Sequence, residues 1–259
     1  MEVYHNDVYP DMSLNKWQSR YILGGVAILP IAPFLYLQGQ ITRWKVGLLP
    51  EAEDPSGVAG EGSDEVSLLV IGESTVAGLG ARTHKLALGG QFAKGLSERV
   101  GKQVRWTVIG KNGVTARRTI DELWPLVPKK GFDYVLLGIG GNDVMKLSSP
   151  KKWRRDMLEL IGIVRAANPD AMIFISNCPM IGYSPILPQP IKGILWNLSQ
   201  MHNANIVEFT HGMDRVYYYP QPVDIDFNGF WADGIHPSEQ GYRDWAAAML
   251  KHFDKHHQW

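Results

Sequence analysis

The feature that most constrains this chain is a regular exchange of short apolar runs with longer amphipathic ones, beginning at Val66 and continuing towards the carboxy terminus. Strands are expected at 66–71, 104–109, 134–138, 172–176 and 205–209, most of them rich in branched or aromatic residues. Helices are expected at 84–100, 116–127, 150–167, 191–202 and 237–253. Strand and helix take turns five times, which predicts an α/β domain with a five-stranded parallel sheet and helices on both faces. In such a sheet the loops after the strands border the ligand crevice, so those loops are where chemistry is sought.

The amino-terminal quarter has a different character. Residues 21–42 form a stretch of 22 residues without a charge, bracketed by Arg20 and Arg43. At about 1.5 Å per residue such a helix reaches roughly 30 Å, the thickness of a bilayer core. An amino-terminal segment, 1–49, is therefore expected to carry an apolar anchor or interfacial helix, although Pro30 and Pro33 interrupt it and a core helix packed on the domain is the alternative. Lys16 and Arg20 before it balance Arg43 and Lys45 after it, so the charge rule assigns no side of the membrane. Residues 50–65 carry six acidic residues, no basic ones and no aromatics, the composition of a flexible acidic linker. The folded domain is expected over 66–259.

Charge and cysteine content remove other classes. With 26 basic against 26 acidic residues the chain lacks the electrostatic footprint of a nucleic-acid binder. The single cysteine, Cys178, forms no intrachain disulfide and supplies no cysteine-rich zinc cluster. His84, His202 and His211 are scattered without ligand spacing, so neither a metal nor a cofactor is expected.

Four strand-end loops stand out. The first strand runs into Gly72-Glu73-Ser74-Thr75, which lacks the Gly-Lys-Ser/Thr ending of a phosphate loop; Ser74 is either a nucleophile or a helix cap. The second leads to Gly110-Lys111-Asn112-Gly113, alone only a tight turn. The third ends in Gly140-Gly141-Asn142-Asp143, a G-x-N-D expected by chance only about 0.06 times in a chain of this composition, or else an Asx turn. Before the last helix stands Asp233-Gly234-Ile235-His236, a D-x-x-H that chance supplies about 0.5 times. A second copy, Asp254 to His257, abuts the terminus and is set aside.

In their joint order these blocks resemble the SGNH (GDSL-type) hydrolases, whose four blocks carry Ser, Gly, Asn and His in sequence. The resemblance spans about 66–253. It implies a three-layer α/β/α flavodoxin-like fold and ester hydrolysis without a metal. Carried over by position, it implies Ser74 as nucleophile, with Asp233 and His236 completing the triad. It likewise makes Ser74, Gly113 and Asn142 the oxyanion-hole donors. One departure is Glu73, which stands where that pattern has Asp and lengthens the side chain by a methylene.

The chemistry follows from the residue types. A serine hydroxyl is a weak nucleophile until an imidazole takes its proton, and the imidazole needs a carboxylate to fix its tautomer. Attack on an acyl carbonyl builds negative charge that preorganised donors stabilise. Two apolar segments, 177–190 and 227–231, are expected to shape an acyl pocket, or else to cover the core. Trp106, Trp124, Trp153 and Trp196 read as packing residues, and Arg117 and Arg118 as helix-surface charges. The expected function is a membrane-associated serine esterase acting on small-molecule or lipid, lysophospholipid-like acyl esters. The alternatives are a carbohydrate O-acetyl esterase and a catalytically silent, membrane-tethered binding module.

Overall fold

The computed structural model describes residues 14–47, 49–222 and 226–259. Residues 1–13 of the expected amino-terminal segment lie outside the described residues. At the centre is a six-stranded sheet in the order β1-β3-β2-β4-β5-β6. Its strands are β1 (Ser56–Ala59), β2 (Glu65–Gly72), β3 (Gln103–Gly110), β4 (Tyr134–Gly138), β5 (Met172–Ile175) and β6 (Val216–Tyr218). All neighbours are parallel except β1, which pairs antiparallel with β3.

The alternation of side chains along each strand explains the layering. In β2, Leu68 and Val70 enter one apolar cluster while Leu69 and Ile71 enter the other, and all four are fully buried. Val135 and Leu137 against Leu136 in β4, and Ile173 and Ile175 against Phe174 in β5, divide the same way. Both faces are thus covered, as parallel strands require. The first face is closed by α3 (Leu88–Val100) and α8 (Glu239–Phe253), which contribute Phe92, Leu96, Tyr242 and Phe253. The second is closed by α6 (Pro150–Ala167) and α7 (Ile191–Thr210), through Trp153, Met157, Leu160, Ile206 and Phe209.

Three expectations are corrected. Residues 205–209 are no strand: they continue α7, and the fifth parallel strand is β6, after the turn at Gly212. A five-residue apolar run does not distinguish a buried strand from the inner face of a helix, and no helix breaker follows Gly193 until Gly212. The expected helix at 116–127 divides into a short α4 (Ala116–Arg118), a wide turn Thr119–Leu123 and a tight turn Trp124–Leu126, because Pro125 lacks the N–H that would continue the ladder. Within 50–65, expected as a flexible linker, lies β1. Its backbone pairs with the edge of β3, and Gly57 lies against the Trp106 ring, where a Cβ would come within 2.5 Å of the indole. The same stretch is held farther back by Ala52 N–H donating to Ala77 O and His84 N–H donating to Glu53 O.

At the amino terminus, α1 (Leu14–Ile28) and α2 (Ala32–Val46) join through a tight turn, Leu29–Ile31, at Pro30. Together they form one helix long and apolar enough to cross a membrane.

Candidate active site

The carboxyl ends of β2, β3 and β4 and the loop before α8 converge on one cavity. β2 ends at Gly72, where a Cβ would stand 2.1 Å from Gly138 O of the neighbouring strand. That close approach brings the next two residues, Glu73 and Ser74, over the end of β4.

Ser74 Oγ lies 3.2 Å from His236 Nε2, and His236 Nδ1 donates to Asp233 Oδ2 across 2.7 Å. Asp233 Oδ1 accepts the backbone N–H groups of Ile235 and His236 at 2.8 and 2.7 Å, so the carboxylate both shapes its own loop and faces the imidazole. Burial pushes the Asp233 carboxyl up, but the hydrogen bonds from His236 and Ile235 outweigh it and hold the group below the ordinary carboxylate value. Asp233 is therefore ionised at neutral pH and fixes the Nδ1–H tautomer, leaving Nε2 as the acceptor that faces Ser74. The loop is pinned from outside as well: Ser238 caps α8 by accepting from Gly241 N at 3.1 Å.

The other expected residues separate into two groups. Asn142 stands in the first turn of α5 (Gly141–Met145) and lines the cavity with Ser74 and His236. Gly113, at φ 83°, adopts a backbone that suits glycine, but Asn112 rather than Gly113 lines the cavity. The Gly113 carbonyl accepts from Lys146 Nζ at 2.7 Å and from Arg118 Nη1 at 3.1 Å, so two cations hold that turn. Asp143, the last residue of the G-x-N-D block, stays out of the cavity. Fully buried, it accepts from Ala116 N at 2.8 Å and Ser148 Oγ at 3.1 Å, joining the second and third loops. Both expected apolar segments reach the cavity, through Met180, Ile181 and Leu187 from one and Phe230 and Trp231 from the other.

Sequence reasoning left the role of Glu73 open and did not find that of Lys146. Glu73 Oε1 accepts Gly141 N at 2.6 Å, and Oε2 accepts both Asn142 N and Asn142 Nδ2 at 2.7 Å. The carboxylate thus seats the first turn of α5 and orients the Asn142 amide, whose second N–H remains for another acceptor. Its signal in the sequence was its position directly before Ser74. Lys146 had a signal too, the i, i+4 spacing from Asn142 that sets both on one side of a helical turn.

Burial pushes Glu73 up to about 7, against the pull of its three N–H donors. An acid raised in the folded state contributes stability that is complete below its unfolded value near 4.5 and is lost as pH rises towards 7. Relative to Glu73→Gln, which does not titrate there, the wild-type chain is expected to lose about 3 kcal/mol between pH 4.5 and 8. Urea unfolding of both chains across that range measures the difference, and parallel pH dependences would contradict it.

Comparison with known proteins agrees with this architecture. Residues 70–243 match the model of the GDSL-like lipase/acylhydrolase family. Among curated proteins, thioesterase 1/protease 1/lysophospholipase L1 of Escherichia coli is 22% identical over 73% of this chain and 86% of its own length. A GDSL-like esterase of Mycobacterium tuberculosis is 25% identical over 50% of this chain, but only 41% of that protein is spanned. Among solved structures, a lipase from a goat rumen metagenome superposes with a TM-score of 0.56 at 14% identity, covering 72% of this chain and 96% of the other. A family two carbohydrate esterase from Clostridium thermocellum gives 0.55 at 17%, covering 76% and 66%. These structures share the fold. With a family match over well more than half of its length, the chain belongs to the GDSL-like lipase/acylhydrolase family, whose members are ester hydrolases.

Proposed function

We propose that this protein is a serine esterase that cleaves carboxylic esters of short to medium acyl chains through an acyl-enzyme on Ser74. The observation that carries the reading is the hydrogen-bonded series Ser74–His236–Asp233 opening into a cavity of about 240 Å³. His236 Nε2 takes the Ser74 proton as Oγ bonds to the acyl carbon. The carbonyl oxygen gains charge opposite the free Asn142 N–H and the backbone N–H of Ser74, with the expected third donor, Gly113, standing outside the cavity lining. The tetrahedral adduct then collapses: the alcohol leaves with the proton from His236, and the acyl group stays on Oγ. Water, deprotonated by His236, releases the acid and restores the serine.

The lining selects for the acyl side. Met180, Ile181, Leu187, Phe230, Trp231 and Ile235 give the cavity an apolar wall, where each buried methylene contributes about 0.8 kcal/mol. An apolar cavity of about 150 Å³ accepts benzene, so one of about 240 Å³ has room for a chain of roughly six to ten carbons. In a p-nitrophenyl ester series, kcat/KM is expected to rise about three- to fourfold per methylene from acetate and to fall beyond roughly ten carbons. A maximum at acetate, with no gain from longer chains, would favour the carbohydrate O-acetyl ester reading instead. The apolar helix Leu14–Val46 supports a membrane-associated enzyme.

A further inference from the structure

The helix pair α1–α2 is apolar along its length, yet both of its ends are bound to the same domain. Near its start, Trp17 is only 4% exposed and packs on Met201 and Ala204 of α7, while Tyr21 Oη donates to Leu147 O at 2.7 Å. Near its end, Gln38 Nε2 donates to Gln189 O at 2.7 Å and Gln38 Oε1 accepts from Ile191 N at 3.3 Å, at the first residue of α7. The pair therefore runs antiparallel along α7. Between these attachments Leu23, Val26, Leu29, Phe34 and Leu37 are all more than half exposed.

A bilayer-spanning helix must put its two ends on opposite faces of the membrane. Here residues 17–21 and 38–42 rest on one side, so crossing would require releasing one attachment. Charge identifies the surface that such a face fits. Residues 14–46 carry Lys16, Arg20, Arg43 and Lys45 and no carboxylate, so an apolar stripe is flanked at each end by cations. This pattern matches an anionic lipid surface, whose acyl region takes the stripe and whose headgroups pair with the cations. The attachment at Gln189 and Ile191 also directly follows the segment that supplies Met180, Ile181 and Leu187 to the cavity.

We propose that α1–α2 is an in-plane seat on an anionic lipid surface, with both ends on the side of the hydrolase domain, holding the acyl cavity's outer wall against that surface. This rests on the acyl-ester reading above for its purpose, but its test does not depend on turnover. The full chain carrying Ser19→Cys or Lys45→Cys is added to sealed vesicles of phosphatidylcholine with or without one third phosphatidylglycerol. Cys178 is buried, its thiol pushed up to about 12 by that burial, and does not compete for label.

The chain is expected to float with the phosphatidylglycerol vesicles, with both cysteines reacting from outside with a membrane-impermeant maleimide before any detergent is added. The Arg43→Gln/Lys45→Gln double variant should lower partitioning by roughly tenfold or more. If either cysteine reacts only after permeabilisation, the helix spans and the proposal is overturned. Absence of flotation with concentration-dependent dimers in sedimentation would overturn it too, a second copy then covering the face. Ester hydrolysis measured in the same samples separates the two readings: an active chain that does not float refutes the seat alone, and a floating, doubly labelled but inactive chain refutes the esterase alone.

Discussion

Ser74→Ala is expected to lower kcat/KM for p-nitrophenyl butyrate by roughly 10⁴ to 10⁶ while leaving the fold intact. The substitution removes one oxygen, whose side-chain partner is His236 Nε2 at 3.2 Å, so no buried group outside the site loses a bond. His236→Ala should cost nearly as much, because a hydroxyl without its base is no better a nucleophile than solvent. The two losses should not add: in the double variant, residual turnover should stay near that of either single one. Steady-state kinetics with circular dichroism on the three chains measures this. Additive losses would mean that Ser74 and His236 act separately.

Asp233→Asn is the second large effect, expected at about 10⁴ in kcat with little change in folding. The carbonyl oxygen of the introduced amide can still accept the Ile235 and His236 N–H groups that now reach Oδ1 at 2.8 and 2.7 Å, so the turn before α8 persists. The amide nitrogen would then face His236 Nδ1 where the carboxylate now accepts. A donor there drives the imidazole proton to Nε2, which then faces the Ser74 hydroxyl as a donor and takes no proton from it. Asp233→Ala removes the turn contacts as well and should also lower Tm. Near-normal turnover by the Asp233→Asn chain would reduce Asp233 to a structural role.

The loops of the candidate site were legible because a parallel sheet covered on both faces leaves chemistry little room except its strand ends. Ser74 and Asn142 lie directly beyond the paired glycines Gly72 and Gly138 of β2 and β4, and the sheet register carries them there. What escaped is what backbone bonding alone decides. β1 gains its place by pairing with the exposed edge of β3, to which the composition Ser-Gly-Val-Ala gives no clue. The exchange of 205–209 for 216–218 as the last strand reflects the ambiguity of short apolar runs. Glu73 escaped for another reason. Its partners are three N–H donors from residues 141 and 142, a contact 68 and 69 positions away in the chain that no local pattern announces.

The central claim is that the substrate's acyl group passes through a covalent bond to Ser74, and acyl trapping tests it most directly. Rapid acid quench of the full chain turning over p-nitrophenyl butyrate, followed by peptide mass spectrometry, should find the butyryl adduct on the peptide containing Ser74. The adduct should be absent from the Ser74→Ala chain. Turnover of the wild-type chain with an acyl group found on another residue, or a Ser74→Ala chain that still hydrolyses the ester at the wild-type rate, would contradict the account.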